Sequence, residues 1–412
     1  MGLLGLTGQA GAQTPDTAPD TAAPDKAPDA APDTAPDWSL QARQRLAGPT
    51  GANADQALAE RRRWLDEGER LLAAGQPDQA QDVLDRAAMM LHAADTEAAL
   101  VRAYMQAGQY RRALAFGAHA AGAHRRDWPA GTALYVWLLQ VGGQGVVARR
   151  VMDETLALAP EDAALRSASR QLSLPWPAPD AVLRQTPLRT APYGWGESPP
   201  ADSEVVGSAV LLDDGVSAVV PAAALGQAPL ANGQVWLRNG LGQTVSAQVQ
   251  TRDTQLGLVT LRLDRPLPRP GLAAAHREPY AGSPGYMVEY APARTASAAW
   301  PLLRQGFFAR WTNHAGLRRL GLDAPAGPRG GPVFNAAGEL VGIAVAGADG
   351  TDRLVPASVL TTLAAEPLAP VGAAASHRSA VEPGVVQRAG NADVDAIYEK
   401  SLKITLQVIR LK

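Results

Sequence analysis

The chain of 412 residues contains no cysteine. Disulfides, thiolate nucleophiles and cysteine-ligated zinc are therefore excluded. Aromatic residues are scarce at 5%, so its cores must be built mainly from aliphatic side chains. Charge of one sign is lacking too: 38 Lys and Arg face 40 Asp and Glu, leaving a formal net charge of −2. That balance gives no electrostatic reason to expect nucleic acid or an anionic membrane as partner. No apolar run approaches the ~20 residues of a membrane-spanning helix. H-E-x-x-H, a carboxylate cluster and a phosphate-cradling glycine loop are all missing, so neither a metal nor a cofactor is expected.

What is present is enough apolar content, 46%, for real cores, in a length that suits two or three domains. The N-terminus has a short apolar run, Leu3-Leu4-Gly5-Leu6, and then Ala10-Gly11-Ala12, a small-x-small cleavage pattern. A basic region is missing, since the first positive side chain is Lys26. Residues 1–12 read as the end of a secretory signal, which points to export, into a bacterial periplasm. Residues 13–54 follow as a linker whose repeated Pro-Asp-Thr/Ala theme stiffens the chain and offers little surface to bury.

Residues 55–172 change to helical periodicity. Three short motifs align: Gly75-Gln76-x-x-x-Ala80, Gly108-Gln109-x-x-x-Ala113 and Gly143-Gln144-x-x-x-Ala148. Their spacing, about 34 residues, resembles that of tetratricopeptide repeats. The resemblance implies a curved stack of helix pairs that binds a peptide or protein on its concave face. Candidate inner-face residues are Arg102, Tyr104, Tyr135 and Trp137; aromatics at this spacing also serve as plain core. Residues 173–203 form a Pro-rich linker carrying Trp176, Tyr193 and Trp195, which would pin it to a domain surface.

Short β-type runs separated by Gly and Asp-Gly turns occupy 204–365, without helices between them. Two groups of such strands predict two tandem β-barrels. The stretch GPRGGPVFNAAGELVGI, residues 327–343, resembles the nucleophile loop of trypsin-like serine proteases. Gly207-Ser208-Ala209-Val210-Leu211-Leu212-Asp213 and the closing Val355-Pro356 with Leu360 are similar to landmarks of HtrA-like members. The fold class expected is thus multidomain: all-α repeats followed by an all-β, trypsin-like double barrel.

The same resemblance places the three catalytic positions. The general-base histidine falls on Ala222 or Ala223, the orienting aspartate on Gly257 and the nucleophile on Arg329. Without base, orienter and nucleophile, triad hydrolysis is not available. The resemblance implies a pseudoprotease, a non-catalytic binding or scaffolding protein. The alternative is a serine-type peptidase with non-standard catalytic residues, although Ser208, Ser283 and Ser358 have no paired base in any recognised motif. Arg329 carries two readings: a surface arginine tolerated once the serine was lost, or a group that holds a carboxylate by paired N–H bonds.

Residues 366–392 read as a flexible Pro/Gly/Ala linker, and 393–412 as a helix followed by a strand. This helix and strand resemble the entry of HtrA-like domains, which normally precedes the barrel. Two outcomes are open: the strand folds back to complete the first barrel, or it adds to a partner's sheet.

Overall fold

A computed structural model describes residues 54–125, 128–174, 179–185, 187–226, 233–269, 271, 273–311, 318–322, 330–346, 352–364 and 392–412. The helical part begins with three antiparallel pairs. These are α1 (Ala54–Ala73) with α2 (Pro77–Met90), α3 (Ala94–Gln106) with α4 (Tyr110–Ala123), and α5 (Ala130–Val141) with α6 (Gly145–Leu158). Helices α7 (Ala163–Leu172) and α8 (Pro179–Leu183) close the stack.

One C-terminal cap is used three times. Gln76 N–H donates to the Leu71 carbonyl and Gly75 N–H to that of Leu72; Gln109 and Gly108 do the same to Tyr104 and Met105, Gln144 and Gly143 to Leu139 and Gln140. This is the double bond pattern that requires a left-handed residue, and the three glycines have φ of +74°, +74° and +83°. Four residues after each glutamine, Ala80, Ala113 and Ala148 are wholly buried, where a larger side chain would hold the paired helices apart.

The β part opens with a two-residue strand, β1 (Trp195–Gly196), laid parallel on β5. The first barrel contains β2 (Ser203–Leu211), β3 (Ser217–Pro221), β4 (Gln234–Asn239), β5 (Gln243–Asp253), β6 (Leu258–Leu263) and the C-terminal β13 (Thr405–Leu411). Its strand order is β5-β4-β13-β2-β3-β6, closed by pairing of β5 with β6. The second barrel is closed as β10-β11-β12-β9-β8-β7. Its strands are β7 (Pro284–Glu289), β8 (Leu302–Trp311), β9 (Arg318–Leu322), β10 (Pro332–Asn335), β11 (Leu340–Ala346) and β12 (Asp352–Pro356). The expected order of helices then two barrels is what the structure shows.

Strand β13 is central to the first barrel. Leu406 pairs with Ala209 of β2 on one side and with Asn239 of β4 on the other. Residues from the two ends of the β region are thereby hydrogen-bonded along their whole length, with Leu406, Val408 and Ile409 all buried. The preceding helix α10 (Val394–Ile404) starts at Asp393, whose carboxylate accepts the Asp395 N–H. It lies between helices and barrels. On one flank Arg111 donates to Glu399 from both main chain and guanidinium, and Gln144 donates to Asp395 at 2.8 Å. Tyr110 and Tyr398 meet edge to face at 4.5 Å, and the Tyr398 hydroxyl donates to the Pro301 carbonyl in the barrel region.

The three glycine turns face the barrels. Gly75 backs onto the Trp195 ring, Gly108 onto Leu241 and Lys403, and Gly143 onto Leu303 and Gln305. One apolar core therefore runs from Leu72 and Tyr104 through Tyr398 and Leu406 to Phe334. The described residues belong to a single compact unit, and a three-pair helical stack near the lower limit of independent stability is completed by the barrel it rests on.

Candidate functional site

Ala222 and Gly257, the described positions expected to stand for a general base and its orienter, lie where the barrels meet. Strand β3 ends at Pro221 and turns into a single helical turn, α9 (Ala222–Leu225). Ala222 donates its main-chain N–H to the carbonyl of Gly257 at 2.8 Å. Gly257 closes the β5–β6 turn with φ +67°. The turn is held by Asp253, whose Oδ1 accepts the N–H groups of Gln255 and Leu256 at 2.9 Å each. A Cβ placed on Gly257 would meet nothing within 4 Å. The two positions are thus neighbours joined through the main chain, with open space where an aspartate side chain would project.

The second barrel reaches this junction through Gly330 and Gly331. At Gly330, with φ +96°, an added Cβ would lie 2.3 Å from Pro221 Cδ and 2.4 Å from the Ser208 carbonyl oxygen. At Gly331 it would lie 2.1 Å from the Val288 carbonyl oxygen. Gly330 is therefore demanded by close approach between the barrels and Gly331 by the main chain of β7 within the second barrel, independently of any oxyanion chemistry. Arg329, next to Gly330, lies outside the described residues.

Ser208 is wholly buried, and its Oγ accepts the Tyr290 N–H at 2.7 Å. It is a strut between the first barrel and the segment that follows β7, with no route to a substrate. Beside it, Arg238 is 5% exposed and spans the same junction, donating to Thr244 Oγ1, to the Ala296 carbonyl and to Gln407 Oε1. Burial pushes its guanidinium down to about 10. These hydroxyl, carbonyl and amide partners take up the Nε and Nη1 donors, which offsets part of the cost of burying the cation. His276 is exposed, and His314 lies outside the described residues.

The residues expected to line an inner binding face of the helices are placed otherwise. Tyr104 and Trp137 have no exposed surface and are core. Arg102, 5% exposed, pairs with Glu69, donates to the Tyr193 hydroxyl at 3.1 Å and stacks over the Tyr193 ring. It anchors the segment leading to β1, a structural contact that removes it from partner binding. Tyr135 is half-buried against the same core. The helical periodicity that suggested a face was correct as periodicity; the side it marked is turned inward.

Residues 201–343 match the family described as trypsin-like peptidase domain. The double barrel is of that trypsin-like type, preceded by the helical region. The chain is similar to the MamO protease domain from Magnetospirillum magneticum in its apo form, with 21% identity over 40% of this chain and 96% of that one, TM-score 0.29. It is also similar to the HtrA-type protease AlgW, solved with a decapeptide, with 18% identity over 38% of this chain and TM-score 0.31. The match spans half the length of the AlgW chain. No curated protein matches the chain.

Proposed function

We propose that this chain is a pseudoprotease: a non-catalytic protein-binding or scaffolding protein in which tetratricopeptide-like helix pairs are fused to a trypsin-like double barrel. The observation that carries this reading is the main-chain contact between Ala222 and Gly257. At the positions aligned with base and orienter, the chain offers a methyl group and a hydrogen atom. Neither can accept or hold a proton, so a nucleophile at position 329 would have no base to activate it. Arginine at 329 is itself permanently protonated and cannot attack a carbonyl.

The helical region supports a binding role by its architecture. Three identical glycine caps at a period of about 34 residues, each followed by a buried alanine, are what stacked helix pairs need. Its partner is a protein or peptide, and the leader-like pattern of residues 1–12 supports an exported, periplasmic location. Among the described residues, no helix is long and apolar enough to cross a membrane. The competing reading, a serine-type peptidase with non-standard residues, predicts turnover of casein by the purified full chain. Affinity purification from the native host, under conditions where casein is left intact, is expected to return a stoichiometric protein partner. Recovery of the chain alone, or turnover of casein, would count against the proposal.

A further inference from the structure

Three of the six histidines of this chain converge on one buried carboxylate, in a part of the fold remote from the barrel junction. Glu97 lies in the first turn of α3 and its side chain has no exposed surface. His92 sits in the short connection between α2 and α3; His119 is on the last turns of α4 and His124 is its C-terminal cap. From Glu97 Oε1 the Nε2 atoms of His92, His119 and His124 lie at 2.5, 3.2 and 3.5 Å. His92 Nε2 and His119 Nε2 are themselves 3.2 Å apart.

These separations have a specific meaning. Four ligands held about 2.0–2.1 Å from a tetrahedral ion are separated from one another by about 3.3 Å. Three of the four measured separations fall at that edge length, and rotation about the His92 side-chain bonds can lengthen the fourth. Imidazole Nε2 atoms with one carboxylate form a donor set suited to zinc among the available divalent ions. His92, Glu97 and His124 alone already bring one ligand atom each within 4.8 Å of one another.

Glu97 supplies the independent observation. Among the described residues neither of its carboxylate oxygens accepts a hydrogen bond of ordinary geometry, although both are buried. Arg61, close by on α1, is engaged by Asp95 and Thr96. A fully buried carboxylate is costly unless it is paired or coordinates a metal, and here the groups gathered around it are metal-binding imidazoles.

We propose that His92, Glu97, His119 and His124 form a binding site for a divalent transition-metal ion, zinc by its ligand set, that clips α2, α3 and α4 together. The site lies at the opposite end of the helices from the barrel-facing turns: the eleven residues from Glu97 to Gly108 correspond to about 16 Å of helix. The ion is thus a structural clip for the first two helix pairs, independent of the Ala222–Gly257 junction. Side chains of His92 and His119 are 51% and 54% exposed, which gives the ion a path of entry from solvent.

The test uses the full chain without a histidine tag, stripped of metal and titrated with zinc chloride in a calorimeter. One equivalent is expected to bind, with the melting temperature rising on addition. Affinity is expected to fall by at least about tenfold in the double variant H92A/H124A and in E97Q. Cobalt(II) added to the unsubstituted protein is expected to give the intense visible bands of a tetrahedral site. Absence of saturable zinc binding, unchanged affinity in the variants, or the weak spectrum of six-coordinate cobalt would overturn the proposal. The cobalt spectrum decides the matter even if a variant fails to fold.

Discussion

The main-chain N–H of Ala222 donates to the carbonyl of Gly257 at 2.8 Å, in the junction where a working trypsin-like enzyme joins its base to its orienting carboxylate through side chains. On the proposed reading, the scaffold keeps the two turns adjacent without the groups that would react. Arg329→Ser therefore restores a hydroxyl without a base. The variant is expected to show no hydrolysis of casein above the unsubstituted chain; measurable turnover would mean that another group activates it.

Two glycines at this junction are expected to respond differently. Gly257 and Gly330 both have positive φ, so each alanine substitution carries about 1–2 kcal/mol of backbone strain. Gly257 opens onto empty space, whereas a Cβ on Gly330 meets the Ser208 carbonyl oxygen at 2.4 Å and Pro221 at 2.3 Å. Gly330→Ala is expected to exceed Gly257→Ala by more than about 1 kcal/mol in denaturant unfolding, because backbone on both sides must move. Equal costs would show that the barrels yield more easily than the packing implies.

Strand β13 offers a test of the permuted first barrel. Leu406 is wholly buried and paired on both sides. Leu406→Ala is expected to cost about 2–5 kcal/mol, and to do so in one transition shared by helices and barrels. Calorimetry should show a single peak moved down. An unchanged barrel transition would mean that this strand is dispensable to the fold.

The glycine caps rank themselves by what stands behind them. Gly108 has Leu241 Cδ2 at 3.2 Å from an added Cβ, Gly143 has Leu303 Cδ2 at 2.5 Å and a carbonyl oxygen at 3.2 Å, and Gly75 has the Trp195 ring at 2.3 Å. Gly108→Ala is expected to be the mildest of the three, near the ~1 kcal/mol of the left-handed φ alone. Melting temperatures of the three variants give the order directly.

Much of this architecture was legible in the sequence, for reasons that can be named. Glycine at a helix cap and alanine at a close crossing are required locally, so Gly75, Gly108 and Gly143 reveal helix pairs without any tertiary information. Gly330-Gly331 was equally visible, because only glycine tolerates the approach of Pro221, Ser208 and Val288. The side of a helix that faces a partner was not legible. Tyr104 and Trp137 have the periodicity of an inner face, but both are wholly buried, Tyr104 against Phe116 and under Arg112 of the next helix. The histidine cluster was also hidden. His92 and Glu97, and His119 and His124, are each five residues apart, matching no familiar ligand spacing, and only the antiparallel packing of α3 on α4 brings the pairs together.

The central claim is that a protease fold remains here without protease chemistry. Its most direct test is labelling of the purified full chain by a fluorophosphonate probe, with a heat-denatured sample as control. No labelling above that control is predicted, because Ser208 at the barrel junction is wholly buried and its Oγ is held by the Tyr290 N–H. Stoichiometric labelling that heat abolishes would reveal an activated serine and contradict the account.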